Sequence, residues 1–485
     1  MRIYVLFIGL IFSINWDYDD NPKNNNEEDK GLAKNGNSNE DGNPNNNPTN
    51  DTTNNNPTND TTNNNPTNDT TSNNPTNDTT SNNPTNDTNK TTKSKKVKID
   101  TSEMKTYMEY CQSKYTFFKK RENYKLERLI VIFRHGDRAP IRNISDEWRN
   151  KNCVECPLNG NTIGSCTTKK CEKGDLTVKG SKQAKQLGSF IKQKYKPLLF
   201  EGDVIENDIG FRATQIKRTH STLFNVMAGL SNANSVKGVE IRTNEDGLLR
   251  PKNCKFLESE VAKESDINES LQKKLDSSSL NTPRLVSDKA DEIRCSMCND
   301  ISVSCVDKSC DMDTLKEIVK LSYGTWTKQM KNVSTCEKGK KIIFGRFAND
   351  LLDMLDSDKL LYLVSAHDGT LGMILSAISS ETYPWPSYAS ALFIEVWCKY
   401  GRQFVRLIFN DRIVEYEEYS GEYIPISKFT GFLEQMKLAE GEMENLCGQN
   451  KPQGGDPNSS DVKKMNLSST SLLQNKYLIT LPLLF

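Results

Sequence analysis

The sequence predicts an α/β fold in which helices cover a sheet with buried parallel strands. Two short apolar runs, Leu129–Phe133 and Leu360–Val364, have the composition of strands that are buried on both faces. Between them, Leu176–Tyr195 carries apolar residues at helical spacing with lysines at the other positions, which is typical of an amphipathic helix. Strands that alternate with a helix in this way indicate an α/β arrangement.

The composition indicates that a polar segment lowers the hydrophobic content of the whole chain below that of its folded part. The 485 residues leave room for two or three domains, yet only 35% are hydrophobic and the mean hydropathy is −0.69. The formal net charge of zero does not indicate nucleic acid or an acidic membrane as a partner. The 13 cysteines favour an oxidising compartment, provided that the chain is exported.

The beginning of the chain predicts export. Arg2 gives a positively charged start, Ile3–Phe12 is apolar except for one glycine, and Ser13 is a small residue suited to cleavage. The apolar run is too short to span a bilayer, so we interpret Met1–Trp16 as a signal peptide. The expected location is the secretory pathway: secreted, at the cell surface or in a lysosome-like compartment. An uncleaved anchor is the alternative.

Residues 17–98 form a polar tract that we expect to be disordered. A nonapeptide close to P-T-N-D-T-T-N-N-N is repeated, beginning at Pro48, Pro57, Pro66, Pro75 and Pro84. With almost no apolar side chains, the repeat cannot offset the entropy lost on ordering. In an exported protein its N-D-T triplets would be glycosylation acceptors, at Asn50, Asn59, Asn68, Asn77 and Asn86. A glycosylated stalk and a repeat without a role are equally compatible with this pattern.

The first apolar run leads directly into R-H-G-D-R, residues 134–138. Ligands of open α/β sheets bind at the carboxyl ends of strands, and arginine holds phosphate in a planar fork. Arg134 and Arg138 therefore indicate a phosphate site, and Gly136 allows the backbone to approach a ligand closely. His135 is a poor metal ligand among arginines but is well placed to attack a phosphoryl group. The alternative is a basic surface turn.

The second apolar run also ends in residues that can carry chemistry. Small residues lead into His367 and Asp368, and Gly369 comes next. A carboxylic acid beside a phosphate site can donate a proton to a leaving oxygen. An H-D pair is a weak signal by itself, but its position at the end of a predicted strand strengthens it.

The stretch between these motifs contains two arginines, Arg212 and Arg218, followed by His220. Without further information, an arginine before a helical run is interpreted as a solvated charge. His220 is interpreted as structural, because no catalytic spacing surrounds it.

Two groups of cysteines raise the question of zinc, because each begins with C-x2-C. The groups are Cys153, Cys156, Cys166 and Cys171, and then Cys295, Cys298, Cys305 and Cys310. Neither group includes a nearby histidine, and the predicted export favours disulfides. The total of 13 is odd, so at least one cysteine is unpaired or pairs outside the chain, and the connectivity stays open.

The motif R-H-G-D-R-A-P at 134–140 resembles the R-H-G-x-R-x-P signature of the histidine phosphatase superfamily, in particular the histidine acid phosphatases. Four later stretches resemble motifs of the same family: L-T-V-K-G-S-K-Q at 176–183, R-A-T…R-T at 212–219, H-D at 367–368 and P-S-Y-A-S at 386–390. Ala213 stands where the family's R-S-T has serine. The resemblance covers roughly Leu129 to Trp397.

The resemblance implies a role for each matched residue. His135 would be the nucleophile that becomes phosphorylated, and Asp368 would protonate the leaving group. The residues implied to bind the phosphate are Arg134, Arg138, Arg212 and His367. No metal or cofactor is expected, because cationic side chains would stabilise the developing charge.

The predicted organisation is a histidine acid phosphatase-like domain over 99–447, with a mixed sheet flanked by helices. Weak periodicity and many charges over about 232–331 predict an inserted, mostly helical subdomain that forms one wall of the cleft. Residues 448–485 are expected to be a flexible tail with a short apolar end, Tyr477–Phe485. That end is compatible with a lipid-anchor signal, and so with membrane attachment, or with a frayed terminus. The oligomeric state stays open, and a dimer is compatible with the sequence.

The predicted function is the hydrolysis of small phosphomonoesters at acidic pH, as an acid phosphatase. The same chemistry on inositol phosphates or lipid phosphates is an alternative, because the family's H-D pair occurs in those relatives too. A function of another class is a surface glycoprotein that uses the fold as a binding module. The glycosylatable tract motivates that hypothesis, and the intact site residues argue against it.

Overall fold

The computed structural model describes residues 95–448, except 103, 205, 244–245, 263–272, 274–282, 306–310 and 440. The predictions for the signal peptide, for the repeat tract up to residue 94 and for the tail from 449 onward lie outside the described residues. Among the helices of the described part, none is both long and apolar enough to cross a membrane.

The strands and helices alternate along the described chain, as the sequence predicts. The strands are β1 (Lys95–Val97), β2 (Lys125–Arg134), β3 (Asn152–Glu155), β4 (Leu158–Asn159), β5 (Thr162–Ile163), β6 (Thr167–Lys170), β7 (Leu176–Thr177), β8 (Ile209–Thr214), β9 (Val239–Arg242), β10 (Val303–Cys305), β11 (Leu361–Ala366), β12 (Ala391–Lys399), β13 (Arg402–Phe409), β14 (Arg412–Ile413) and β15 (Ile424–Pro425). The α-helices are α1 (Lys105–Met108), α2 (Asp146–Asn150), α3 (Val178–Lys194), α4 (Lys196–Leu199), α5 (Lys217–Ser231), α6 (Lys255–Ala262), α7 (Pro283–Asn299), α8 (Met312–Val333), α9 (Glu337–Asp356), α10 (Asp368–Ile378), α11 (Ile426–Met436) and α12 (Glu442–Leu446).

An eight-stranded mixed sheet is the centre of the fold. Its order is β14-β13-β12-β2-β11-β8-β9, and β15 pairs with β13. The strands β2, β11, β8 and β9 are parallel to one another, whereas β12 is antiparallel to both of its neighbours, β2 and β13. The predicted mixed sheet is therefore confirmed, and the strand that precedes R-H-G lies in its middle.

Helices cover both faces of this sheet because the residues of its central strand alternate between two cores. Ile130 and Ile132 of β2 belong to one core, which α7, α8, α9, α10 and α11 also build. Leu129, Val131 and Phe133 belong to the other core, which α3 and α5 cover. The predicted amphipathic helix is confirmed as α3, with its first two residues in β7 instead.

The inserted segment differs from the prediction at its beginning. Val239–Arg242, which the prediction includes in the helical subdomain, is the edge strand β9 of the main sheet. The helices α6, α7 and α8 come after it. The difference arises because a four-residue strand produces too little periodicity to be detected among charged residues.

Disulfides explain the first cysteine group. Cys153 pairs with Cys171, and Cys156 with Cys166. Two longer links join distant parts of the domain: Cys111–Cys298 and Cys254–Cys447. Four disulfides fit a protein of the secretory pathway.

Candidate active site

The sheet brings the two predicted motifs together at one edge. Arg134, the last residue of β2, is in register with Ala366, the last residue of β11. The backbone N–H of His135 donates to the carbonyl of Ala366 at 3.0 Å. His135 and His367 therefore come directly after neighbouring parallel strands at the same edge, and their ring centroids are 5.5 Å apart.

Two glycines allow the loop after β2 to lie directly against the first turn of α3. A Cβ atom on Gly136 would lie 2.3 Å from the carbonyl oxygen of Gly180, and one on Gly180 would lie 2.1 Å from that of Asp137. The side chain of Thr177 caps α3 by accepting from the N–H of Gly180. The glycine of the L-T-V-K-G stretch thus positions the R-H-G loop by close backbone packing.

His135 is a buried, neutral imidazole with a defined tautomer. Its Nδ1 lies 2.8 Å from the carbonyl oxygen of Gly136, and a carbonyl can only accept, so Nδ1 carries the hydrogen and Nε2 the lone pair. Burial and then the neighbouring guanidinium groups, Arg218 foremost, hold the pKa of His135 well below its ordinary value of 6.5. The side chain is only 1% exposed.

Arg134 is fixed between two aromatic rings. Its guanidinium carbon lies 4.6 Å from the ring centroid of Tyr110 and 4.3 Å from that of Tyr388. It donates to the carbonyl of Pro386 at 2.6 Å and to the Tyr110 hydroxyl, and it forms an ion pair with Asp368 at 2.9 Å. Its Nε is buried without a hydrogen-bond partner among the described residues.

Arg138 receives its orientation from the helical subdomain. Asp291 of α7 accepts from both terminal nitrogens of Arg138, at 2.8 and 3.2 Å, in a bidentate pair. Asp291 also accepts from the backbone N–H of Ile141. The unpaired thiol of Cys295 lies 3.4 Å from the same guanidinium. The Nε of Arg138 is buried and makes no hydrogen bond within the described ranges.

His367 and Asp368 begin α10. His367 is fully buried, and its Nε2 lies 2.9 Å from the Thr214 hydroxyl at the end of β8. Burial, and after it the charge of Arg218, keeps the pKa of His367 well below its ordinary value. Asp368 accepts from the N–H of Gly369 with Oδ1 and from the indole N–H of Trp385 with Oδ2, both at 2.9 Å.

Arg212, the third predicted phosphate ligand, has other partners. It is buried in β8, where it forms ion pairs with Asp246 at 2.7 Å and with Asp350. Asp350 also pairs with Arg242 of β9. These contacts tie the strands to α9 and favour a structural function for Arg212.

Arg218 is the charged neighbour with the largest effect on the pKa of both His135 and His367. It is buried in the first turn of α5, and its Nε and Nη2 make no hydrogen bond within the described part of the chain. Burial and then the charge of Arg138 lower the pKa of Arg218 to about 9. The rule that locates the other two motifs would also have found it, because Arg218 comes after the end of β8 whereas Arg212 lies within the strand.

The structure thus brings together five of the six predicted site residues: Arg134, His135, Arg138, His367 and Asp368. It adds Arg218 and separates Arg212. His220 is buried, and its Nε2 lies 2.8 Å from the Thr214 carbonyl, where it ties α5 to the end of β8. Within the described ranges, no three His, Cys, Asp or Glu side chains are grouped so as to hold a metal ion.

This arrangement suits a tetrahedral anion. Three guanidinium groups, each with a buried N–H that has no hydrogen-bond partner among the described residues, lie beside a neutral imidazole and a carboxyl group. Planar, always-charged guanidinium groups are the preferred donors to phosphate oxygens.

Comparisons with known proteins show similarity to phosphatases. A family model described as the histidine phosphatase superfamily (branch 2) matches residues 125–335. The 2-phosphoxylose phosphatase 1 of Xenopus tropicalis is 24% identical over 360 residues, which cover 61% of this chain and 69% of that protein. The prostatic acid phosphatase of Homo sapiens is 25% identical over 332 residues, covering 61% of this chain and 80% of that protein.

Among solved structures, the multiple inositol polyphosphate phosphatase of Bifidobacterium longum with phosphate aligns at a TM-score of 0.47. It is 11% identical, and the alignment covers 69% of this chain and 99% of that one.

Fold, site and relatives together define a phosphoric monoester hydrolase. Residues 125–335 of the chain match the histidine phosphatase superfamily (branch 2), and the relatives of the chain include acid phosphatases. The family resemblance predicted from the sequence is confirmed.

Proposed function

We propose that the protein hydrolyses phosphate monoesters at acidic pH through a phosphohistidine on His135. The observation that carries this proposal is the buried imidazole of His135, whose Nδ1 faces the Gly136 carbonyl and whose neighbours include three buried guanidinium groups. A nucleophile in such a position splits one difficult displacement into two easier ones.

The phosphoryl group is bound by guanidinium nitrogens beside His135 that have no hydrogen-bond partner among the described residues. These are Nε of Arg134, Nε of Arg138, and Nε and Nη2 of Arg218. His367 contributes its buried Nδ1, which also has no hydrogen-bond partner in the described part of the chain. We assign to Arg218 the contact that the family resemblance implies for Arg212, because Asp246 and Asp350 neutralise Arg212.

In the first step, Nε2 of His135 forms a bond to phosphorus while the bond from phosphorus to the leaving oxygen breaks. Asp368 gives its proton to that oxygen, and the alcohol departs. In the second step, water attacks the phosphohistidine and releases phosphate. Positioning and the fixed positive charge supply most of the rate enhancement.

The acidic optimum is a consequence of the environment of His135. Its pKa is lowered by burial and by the guanidinium groups, so the imidazole stays neutral and nucleophilic below pH 6.5, where an ordinary histidine is protonated. The imidazole of His135 is thus available as a nucleophile in mildly acidic solution.

Substrate choice within the phosphomonoesters is a second part of the proposal. One relative is named a 2-phosphoxylose phosphatase and another an acid phosphatase. These names favour small sugar or alkyl phosphates as substrates. Inositol phosphates and lipid phosphates are the alternatives. A panel of xylose 2-phosphate, glycerol phosphate, inositol hexakisphosphate and a lysophosphatidate, assayed from pH 4 to 8, would rank them by kcat/KM.

The decisive experiment is to trap the phosphoenzyme. Rapid quenching of the wild type with radiolabelled substrate should give an acid-labile phosphoprotein, and His135→Ala should give none. Turnover should fall on the order of 10³-fold or more in that variant, because a nucleophile has been removed. The matched control is His220→Ala, which should still form the phosphoenzyme. A labelled intermediate that persists in His135→Ala would contradict the mechanism.

A further inference from the structure

We propose that Trp385 is a positioning residue for the proton transfer, because its indole N–H determines which oxygen of Asp368 carries the proton. This inference rests on the proposed function, in which Asp368 protonates the leaving group.

The two oxygens of Asp368 have different partners. Oδ2 accepts from the indole N–H of Trp385 at 2.9 Å and lies 2.9 Å from Nη2 of Arg134. Oδ1 accepts from the backbone N–H of Gly369. An indole nitrogen can only donate, and so can a guanidinium. Because the indole donates to Oδ2 and a guanidinium nitrogen lies 2.9 Å from it, Oδ2 is kept as the accepting oxygen, and the proton of the carboxylic acid resides on Oδ1.

The indole itself is held by several groups. Trp385 is 7% exposed and lies between Pro384 and Pro386, which restrict the backbone on both sides. Its ring stacks on Trp326 of α8, with centroids 5.3 Å apart and planes 19° apart. The guanidinium carbon of Arg294 in α7 lies 4.0 Å from the ring centroid. The helical subdomain therefore sets the position of the N–H that meets Asp368.

This arrangement specifies the proton transfer at the level of atoms. As His135 Nε2 bonds to phosphorus, the electron pair of the breaking P–O bond goes to the leaving oxygen, which takes the proton from Oδ1 of Asp368. The new carboxylate continues to accept a hydrogen bond from the Trp385 N–H at Oδ2 and from the Gly369 N–H at Oδ1. Arg134 is also assigned to the phosphate, so the Trp385 indole is the side-chain donor that remains on Oδ2 in the described part of the chain.

The test compares substrates that have good and poor leaving groups, and it uses the full-length protein. Nitrophenolate departs without a proton, whereas the alkoxide of glycerol does not. Trp385→Phe keeps a ring in the stack and removes the N–H. We expect its kcat on glycerol phosphate to fall about 10- to 100-fold, the size of one hydrogen bond to a charged group, and its kcat on nitrophenyl phosphate to fall less than about threefold.

Trp397→Phe is the matched control, because it removes another buried indole N–H, which donates to Glu395, without touching Asp368. Its ratio of kcat on the two substrates should equal that of the wild type. Trp385→Tyr, which also lacks the indole N–H, is a second variant that should reproduce the selective loss. Binding of inorganic phosphate shows whether each variant keeps a folded site.

Asp368→Asn separates a failure of this inference from a failure of the proposed function. If Asp368→Asn slows both substrates equally, the assignment of the proton donor is wrong. The other outcome is that Asp368→Asn slows the hydrolysis of glycerol phosphate more than that of nitrophenyl phosphate, while Trp385→Phe and Trp385→Tyr lower both rates equally. In that case the proposed function stands and the inference about Trp385 is overturned. In the Asp368→Asn background, Trp385→Phe should add no further selectivity, because the proton it positions is already absent.

Discussion

Two buried arginines of the same segment differ in whether carboxylates neutralise them. Arg212 forms ion pairs with Asp246 and Asp350, whereas Nε and Nη2 of Arg218 have no hydrogen-bond partner in the described part of the chain. A buried charge without a paired carboxylate costs stability, and a bound anion can recover that cost. Within this pair, the neutralisation of Arg212 by two carboxylates favours Arg218 as the arginine that binds a ligand.

The arginine pair gives a prediction with its own control. Arg218→Met should weaken the binding of inorganic phosphate by about 10²-fold or more, since a charge-assisted contact is lost. Without phosphate it should unfold no more easily than the wild type, because it removes a guanidinium that Arg138 repels. Calorimetric titration and thermal unfolding measure both quantities.

Arg212→Met should behave in the opposite way. It leaves two buried carboxylates without their shared cation, at a cost of about 3–5 kcal/mol in the free energy of unfolding. Molecules that remain folded should bind phosphate nearly as well as the wild type. Selective loss of phosphate affinity in Arg212→Met, with Arg218→Met unaffected, would restore the assignment made from the sequence.

The lowered pKa of His135 predicts how stability depends on pH. The unfolded chain protonates this histidine near pH 6.5, whereas the folded protein does so only at much lower pH. The stabilisation is therefore complete above pH 6.5 and declines as the pH falls, by up to about 1.4 kcal/mol per pH unit. Denaturant unfolding of wild type and His135→Gln, in a buffer without oxyanions, should diverge in this sense between pH 7 and 5. Parallel curves would mean that His135 titrates normally.

At the scale of elements, the site depends on how closely α3 approaches the loop after β2. The carbonyl of Asp137 would lie 2.1 Å from a Cβ atom at Gly180, and the same carbonyl accepts from the Thr177 N–H at 2.9 Å. The first turn of α3 and the R-H-G loop therefore form a single packed unit, and movement of one displaces the other.

Gly180→Ala should consequently impair both stability and turnover. Overpacking against backbone atoms typically costs about 1–3 kcal/mol, and the shifted loop should lower kcat rather than only raise KM. Gly324→Ala in α8 is the control, since a Cβ atom there has no neighbour within 4 Å. That substitution should raise the free energy of unfolding by roughly 0.5–1 kcal/mol and leave kcat unchanged. Equal effects of the two substitutions would contradict the packing argument.

At the scale of the whole molecule, three separate parts of the chain complete the site. The sheet edge supplies His135 and His367, α7 supplies Asp291, and the segment before β2 supplies Tyr110. The disulfide Cys111–Cys298 joins the last two parts across a sequence separation of 187. It lies next to Tyr110 and on the same helix as Asp291, so it links the groups that orient Arg134 and Arg138.

Removal of this disulfide should therefore affect activity as well as stability. Cys111→Ser/Cys298→Ser should lower the free energy of unfolding by about 2–5 kcal/mol and also reduce kcat/KM. Cys153→Ser/Cys171→Ser opens a loop with a sequence separation of only 18 and should cost less, because the closed loop is shorter. Chemical denaturation combined with steady-state assays measures both variants. A larger loss in the short-loop variant would contradict the argument.

The sequence by itself determined the parts of this protein that depend on local patterns. Strands buried on both faces, such as Leu361–Ala366, are recognisable as continuous apolar runs, and the residues directly after them lie at the sheet edge where ligands bind. This rule locates Arg134, His135, Arg138, His367 and Asp368. Their proposed roles still await the experiments above, but the structure does bring them together.

Only the tertiary structure decided which distant groups orient these residues. Asp291, Tyr110 and Trp385 lie far from the residues they contact or outside the motifs, and none belongs to a pattern that indicates a contact with Arg138, Arg134 or Asp368. The carboxylates that neutralise Arg212 likewise come from other parts of the fold. A side chain's partners are set by how elements pack, and local periodicity carries no information about that packing across long sequence separations.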